Sequence, residues 1–281
     1  MDYFGRGAFL AQSRQFFKQA LVGVFARVYE VGPVFRAEPH DTARHLAQYT
    51  SLDAEFGFVE DHHDVMAMLR DVLAGMVAGV AERAKSAAEL LGLDLPEVPA
   101  RIPEIHFADA QNLLAERTGE DPHGEPDLAP AHERWLSEWA REEHGSEFLY
   151  VTGYPMAKRP FYTHPDPDRP AYSGSFDLLF RGLELVTGGQ RPHRHADYLT
   201  ALEERGEEPG GVRRLPAYLR ARDAAARRLR DRPRTLDGTP HGGGQHPADD
   251  AVPARPPPAQ PVASPRPSTT AESEHGEDFR M

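Results

Sequence analysis

The sequence predicts an α+β fold in which an antiparallel sheet is flanked by helices. Two stretches near the start, RVYEVGPVFRAE at 27–38 and YTSLDAEFGFV at 49–59, alternate β-branched or aromatic residues with polar ones, as strands do. Other segments carry apolar residues at helical spacing. Strands and helices in this order favour a sheet with helices packed against its face.

The composition excludes several classes of protein. The chain has 281 residues, a formal net charge of −12 and no cysteine, which excludes disulfides and thiolate metal sites. It has no apolar run long enough to cross a membrane, and its first residues lack the pattern of a signal peptide. We therefore expect a cytoplasmic protein without a membrane partner. The negative charge does not predict a nucleic-acid partner, although a local basic groove is compatible with it.

Four segments follow the helical pattern. Ser13 is a candidate N-cap for the first segment. Glycines at the ends of the last two segments are typical of helix C-termini. The predicted helices are 13–25, 64–91, 107–119 and 131–145.

Beyond the first two strands, the strand pattern recurs at 147–155 and at 176–189. In the second stretch we expect Phe180, Gly182 and Glu184 to share a face. In the strand at 49–59, alternation separates two faces. One face carries Leu52, Ala54, Phe56 and Phe58, and the other carries Tyr49, Ser51, Asp53 and Glu55.

The charged face of these two strands has two interpretations. Arg36 with Glu38, and Asp53 with Glu55, each share a side because they are two residues apart. Alternation alone fits a solvated outer face equally well. The long connecting loop, which carries the sequence RHL, favours a functional surface, because a tight turn would suffice to join two strands.

Two further clusters could carry chemistry. Glu184 and Thr187 offer hard oxygen ligands to a magnesium ion, two glycines follow, and Arg191 comes next. Gln15 and Lys18 are three residues apart on one face of a helical turn. Taken alone, the second cluster is more typical of an ordinary surface helix.

Together these segments resemble the class II aminoacyl-tRNA synthetases, most closely the archaeal-type, non-discriminating aspartyl-tRNA synthetases. The stretches VFRAE, RHL and SLDAEFGF resemble motif 2 of that family. The stretches QSRQFFKQ and SFDLLFRGLELVTGGQR resemble its aspartate-binding segment and a later core strand. Because these motifs occur in the family order, the resemblance is specific, and it implies a class II synthetase-type sheet that is incomplete in this chain.

The resemblance implies a role for each matching residue. Arg36 would be catalytic, holding the α-phosphate of ATP and the substrate carboxylate. The other residues implied for ATP binding are Ala37, Glu38, Arg44, His45, Leu46, Tyr49 and Glu184. The other residues implied for aspartate binding are Gln15, Lys18, Thr187 and Arg191. The implied ligands of Mg²⁺ are Glu184 and Thr187.

The implied reaction is adenylation of aspartate by ATP, followed by transfer to the terminal adenosine of tRNA(Asp), with tRNA(Asn) as a second substrate. Family members form homodimers. Lys18 and Arg191 offer two cations to a side-chain carboxylate, which favours aspartate over asparagine. Arg159 in the stretch KRPFY also resembles the aspartyl branch.

The composition changes near residue 210. We expect residues 1–210 to form part of a class II synthetase catalytic domain and residues 211–281 to be a low-complexity, disordered tail. The anticodon-binding domain and motif 1 of the family would precede Met1, and motif 3 is not found after Gly210. Residues 224–236 can be back-translated so that the second frame encodes the GLER of motif 3, so we hypothesise that a frameshift produced the tail.

Three functions stay open at this point. The chain is an aspartate–tRNA ligase core, a paralogue of the asparagine-synthetase or asparaginyl type, or an inactive truncated product with negligible aspartate-dependent ATP–pyrophosphate exchange. Without motif 3 the sheet would lack a central partner. We therefore expect apolar side chains such as Leu178 and Leu185 to be exposed.

Overall fold

The structure, a computed structural model, describes residues 2–3, 6–7, 9–13, 15–37 and 46–207. The tail predicted at 211–281 and the loop residues Glu38, Arg44 and His45 lie outside the described residues. Among the residues it does describe, no helix has the length and apolar character needed to span a membrane.

The described residues form strands and helices in mixed order, as expected of an α+β fold. The strands are β1 (Asp2–Tyr3), β2 (Arg6–Gly7), β3 (Arg27–Phe35), β4 (Gln48–Phe56), β5 (Glu104–His106), β6 (Phe148–Thr152), β7 (Ser175–Phe180) and β8 (Leu183–Gly189). The helices are α1 (Gln15–Phe25), α2 (His62–Arg83), α3 (Lys85–Leu90), α4 (Phe107–Thr118), α5 (Pro130–His144) and α6 (His195–Glu204).

The strands pair into three sheets. β1 pairs with β2 and β3 pairs with β4, both antiparallel, and the third sheet has the order β5-β6-β7-β8. In that sheet only the β5–β6 pair is parallel. The predicted α+β class with a largely antiparallel sheet is confirmed.

Two predicted helix ends are confirmed, whereas the long helix is interrupted. Gly119 and Gly145 close α4 and α5 with left-handed φ angles of 77° and 62°. The helix predicted over 64–91 begins at His62, because the Asp61 carboxylate accepts a hydrogen bond from the backbone N–H of His63. It ends at Arg83, and a non-helical Ala84 separates α2 from α3.

The stretch predicted as one strand over 176–189 is a hairpin. A tight turn at Arg181 and Gly182, with φ angles of 49° and 84°, joins β7 to β8. Glycine adopts such a left-handed angle without strain, which explains its position in the turn. The expectation that Phe180, Gly182 and Glu184 share one strand face is therefore wrong.

Helices cover the four-stranded sheet on both faces, so β6 and most of β7 are buried. On one face, side chains of β6 and β7 pack with α4 and α5; the buried ones include Leu149, Val151, Leu179, Phe107, Leu114 and Leu136. On the other face they pack with α2; the buried ones include Phe148, Tyr150, Phe176, Leu178 and Met66.

Of the two leucines expected to be exposed, only one is. Leu178 is 0% exposed, because α2 and β6 cover it, so that expectation is wrong. Leu185 is 50% exposed, as expected.

The β3–β4 hairpin directs its apolar face outward and its charged face towards α1. Val31 lies opposite Leu52, and these residues are 60% and 47% exposed. Asp53 and Glu55 lie on the other face and are partly buried. The interpretation of the charged face as a solvated outer surface is therefore wrong.

Leu136→Ala should lower the free energy of unfolding by about 2–5 kcal/mol, because it removes packed methyl groups and leaves a cavity. Leu136 is 0% exposed in α5. The matched change Leu90→Ala in α3, where the leucine is 86% exposed, should alter that free energy by less than about 0.5 kcal/mol. Urea unfolding followed by circular dichroism measures both variants, and equal losses would contradict this assignment of the core.

Candidate active site

Two polar residues of α1 face the charged side of β4. Lys18, which is 2% exposed, donates a hydrogen bond from Nζ to Asp53 Oδ2 at 3.4 Å. The side-chain amide of Gln15 donates to Glu55 Oε1. Because a buried ammonium group is costly unless it is paired, Asp53 offsets the desolvation of Lys18.

Arg191 joins the same carboxylates from the end of β8. Its Nη2 lies 3.7 Å from Glu55 Oε1, and its Cζ lies 4.5 Å from the centroid of the Tyr162 ring. Three residues implied for aspartate binding therefore converge on one pair of acids. We call this group the hairpin cluster; its members are Gln15, Lys18, Asp53, Glu55 and Arg191.

A second polar group lies on β7 and β8, and its centre is Asp177. The hydroxyl of Thr187 donates to Asp177 Oδ1 at 2.5 Å, and Arg159 Nη2 donates to the same oxygen at 2.9 Å. The Arg159 guanidinium also lies 4.1 Å from the centroid of the Tyr154 ring. We call this group the sheet cluster; its members are Arg159, Asp177, Glu184 and Thr187.

A β-bulge places the two predicted metal ligands on one face. Glu184 and Thr187 are three residues apart, so a regular strand would direct them to opposite faces. In the structure Thr187 lies opposite Asp177 and Glu184 lies opposite Leu179, with Leu185 as the extra residue. Residues that face each other across paired strands share a side, so Glu184, Thr187 and Asp177 all point to the side covered by α5.

The Glu184 carboxyl group lies in an acidic environment. Burial of this group, and then the carboxylates of Asp177 and Glu133, raise the pKa of Glu184 to about 7, while the Arg159 guanidinium acts in the opposite direction. The residue as a whole nevertheless keeps an exposed surface. A cation could therefore reach this group from solvent.

The sheet cluster suits a hard divalent cation. Two carboxylates and a hydroxyl oxygen on one face are the ligand types that Mg²⁺ prefers. A cation there would reduce the unfavourable interaction between Asp177 and Glu184. Sequence reasoning selected Glu184 and Thr187 and missed Asp177, although an aspartate inside the apolar stretch SFDLLF was a usable signal.

The residues implied for ATP binding are only partly described. The Cζ of Arg36 lies 5.3 Å from the centroid of the Tyr49 ring, which is close enough for a cation–π contact. Ala37 and Leu46 are exposed beside them. Glu38, Arg44 and His45 lie outside the described residues.

One further group among the described residues consists of side chains that can act as metal ligands. Ligand atoms of Asp61, His62 and His63, at the start of α2, all lie within 4.8 Å of one another. Burial, and then the neighbouring His63, lower the pKa of His62 to about 4, so its imidazole is neutral at pH 7. The N-terminus of a helix carries positive potential, however, and so disfavours a cation there.

Comparison with known proteins assigns a family to this arrangement. Residues 1–225 match the tRNA synthetases class II (D, K and N). The Aspartate--tRNA(Asp/Asn) ligase of Thermus thermophilus is 47% identical over 209 residues, which are 74% of this chain and 49% of that protein. The ligase of the same name from Deinococcus radiodurans is 48% identical over 207 residues, 72% of this chain and 47% of that protein. The chain thus spans about half the length of these relatives.

Solved structures give the same result. The aspartyl tRNA synthetase from Entamoeba histolytica superposes with a TM-score of 0.69 at 31% identity, covering 76% of this chain and 44% of that one. The asparaginyl-tRNA synthetase from Pyrococcus horikoshii, complexed with asparaginyl-adenylate, superposes with a TM-score of 0.68 at 28% identity. That match covers 79% of this chain and 50% of that one.

The raised pKa of Glu184 predicts that Glu184→Gln changes how stability depends on pH. Because its pKa is about 7 in the fold and 4.5 in a free glutamate side chain, the folded state binds more protons between these values. The free energy of unfolding should therefore fall as pH rises through this window, and Glu184→Gln should reduce that fall. The midpoints of urea unfolding at pH 4 and pH 8 measure this change in stability for both proteins.

The control for this measurement is Glu116→Gln, which changes an exposed carboxylate on α4. This control should keep the pH dependence of the unmodified chain. If Glu184→Gln and Glu116→Gln gave the same pH dependence as the unmodified chain, Glu184 would not titrate as described.

Proposed function

Since this chain belongs to the class II tRNA synthetases of the D, K and N type, we propose that it binds and activates aspartate as part of an aspartate–tRNA(Asp/Asn) ligase. The observation that carries the proposal is the convergence of Lys18 and Arg191 on one polar site. Two cations in one place suit a ligand that has a side-chain carboxylate as well as an α-carboxylate. The relatives with 46–48% identity bear the name of such a ligase.

In this proposal the hairpin cluster recognises the amino acid. Asp53 and Glu55 now hold the cations of Lys18 and Arg191, and the aspartate side chain would share these cations. Gln15 and Thr187 would add neutral hydrogen bonds. Arg159 supplies a further donor, because its buried Nε has no hydrogen-bond partner among the described residues.

ATP would bind beside the amino acid. The Arg36 guanidinium, supported by the Tyr49 ring at 5.3 Å, would hold the α-phosphate. Leu46 and Ala37, with Glu38, Arg44 and His45 from the loop, would contact the rest of the nucleotide. Glu184, Thr187 and Asp177 would hold Mg²⁺, which would neutralise charge on the phosphates.

The chemical step follows from this arrangement. The α-carboxylate oxygen of aspartate attacks the α-phosphorus of ATP, the phosphoanhydride bond between the α- and β-phosphates breaks, and pyrophosphate leaves with its electron pair. The protein aligns the two reactants and offsets their negative charges, and no proton-transferring base is needed. The aspartyl group would then pass to the terminal adenosine of tRNA(Asp) or tRNA(Asn).

We assign this activity to residues 1–210 as part of a catalytic domain. A second candidate, activation of asparagine, has one supporting observation, which is the likeness to an asparaginyl-tRNA synthetase. The buried Lys18 argues against it, because a neutral amide does not need an ammonium partner.

A binding experiment separates the two candidates. The chain should bind a non-hydrolysable aspartyl-adenylate analogue at least about tenfold more tightly than the asparaginyl analogue, because the carboxylate gains charge-assisted hydrogen bonds. Isothermal titration calorimetry measures both affinities. Binding is a suitable readout for a chain that spans about half the length of its relatives. Equal affinities would refute the aspartate assignment.

Loss of Lys18 should abolish this preference. We expect the double variant Lys18→Met/Asp53→Asn, which leaves no unpaired carboxylate behind, to bind the two analogues within about threefold of each other. The matched control is Lys85→Met, which removes an ammonium group that is 76% exposed on α3. This control should keep the preference for the aspartyl analogue, whereas a preference unchanged in the double variant would remove Lys18 from the specificity site.

The metal assignment predicts that Glu184→Gln weakens divalent-cation binding at least about fivefold, because an anionic ligand becomes a neutral amide. Electron paramagnetic resonance with Mn²⁺ as the probe, in the presence of ATP, measures this affinity. The control Glu116→Gln should bind Mn²⁺ as the unmodified chain does. Equal affinity in Glu184→Gln would argue against this cation site.

A further inference from the structure

A basic groove lies between α5 and the turn that joins β7 to β8. Its volume is about 390 Å³, within the range of small-molecule sites. Its lining residues include Arg134, Ser137, Arg141 and Arg181. The first three recur at spacings of three and four along α5, so they form one stripe on the helix.

The groove has a surplus of positive charge. Arg181 donates to both carboxylate oxygens of Glu147, at 2.6 and 3.0 Å, and to the backbone carbonyl of Asp94 at 3.2 Å. Arg141 donates to Glu138. Arg134 forms no ion pair within the part of the chain that the structure describes. Three guanidinium groups thus face two carboxylates, in a chain whose formal net charge is −12.

A buried hydroxyl group in the lining lacks a partner. Ser137 is 7% exposed, and its Oγ has no hydrogen-bond partner among the described residues. Buried polar groups are almost always satisfied, so such a hydroxyl is a signal for a ligand or a bound water. An anion bound between the arginines of the same stripe would accept its hydrogen bond.

The backbone of the turn forms the β side of this groove. Arg181 has a left-handed φ of 49°, which is unfavourable for a residue with a side chain. The three hydrogen bonds to Glu147 and Asp94 hold it in this conformation. A Cβ on Gly182 would lie 2.9 Å from Arg134 Cγ, so only glycine lets the turn approach α5 this closely. Strained backbone of this kind tends to occur at functional sites.

We propose that this groove is a phosphate-binding site. Guanidinium groups bind phosphate oxygens through paired hydrogen bonds, and a serine hydroxyl adds a third donor. The ligand is a phosphate group, either of a small free anion or of an RNA backbone. None of the groove residues belongs to the hairpin cluster or the sheet cluster, so the proposal does not rest on the proposed function.

Titration calorimetry of the full chain with inorganic phosphate at low ionic strength tests the site. We expect saturable binding that the double variant Arg134→Gln/Arg141→Gln weakens at least about tenfold. Ser137→Ala should weaken it about threefold or more, and we expect this variant to keep the fold because Ser137 Oγ makes no hydrogen bond within the described residues. The matched control Arg117→Gln, on the exposed side of α4, should change the affinity by less than about twofold.

A second arm identifies the source of the phosphate. The same variants are titrated with a short RNA duplex. Parallel losses for duplex and inorganic phosphate support an RNA backbone ligand, and a loss confined to inorganic phosphate supports a small anion. Absence of saturable binding, or an equal loss in Arg117→Gln, would overturn the proposal. So would an unchanged affinity in Ser137→Ala.

Discussion

The β-bulge at Leu185 is the constraint on which the sheet cluster depends. Without the extra residue, Glu184 and Thr187 would lie on opposite faces of β8, and only one of them could meet Asp177. With it, the side chains of Asp177, Glu184 and Thr187 lie on one face of the sheet, where the Arg159 guanidinium reaches Asp177. Strands fix side-chain positions more closely than loops do, which suits the proposed cation site.

The charges of the candidate site are balanced internally. Lys18 pairs with Asp53, Arg191 with Glu55, and Arg159 with Asp177. Three arginines also lie over tyrosine rings, in the pairs Arg36–Tyr49, Arg159–Tyr154 and Arg191–Tyr162. These contacts orient each guanidinium before a ligand arrives, so a ligand carboxylate or phosphate would meet donors that need little reordering.

The two parts of the fold differ in how they are buried. Helices cover both faces of the four-stranded sheet at β6 and β7, so these two strands need no polar alternation, and β6 is buried along its whole length. The β3–β4 hairpin is covered by α1 on its charged face only, and apolar side chains such as Val31 and Leu52 stay exposed on the other. Arg191, just after β8, forms an ion pair with Glu55 of the hairpin.

The sequence by itself determined the helix–strand class and the glycine ends of α4 and α5, because residue type and periodicity record these directly. It also pointed to the family, through motifs in a fixed order. Most of the polar residues of the candidate site followed from the resemblance of motifs to a family. Only the tertiary structure decided that 176–189 is a bulged hairpin, that Asp177 joins Glu184, and that Leu178 is covered by α2. Strand register, bulges and the choice of the covered face arise from hydrogen bonds and packing between distant segments, which local alternation does not encode.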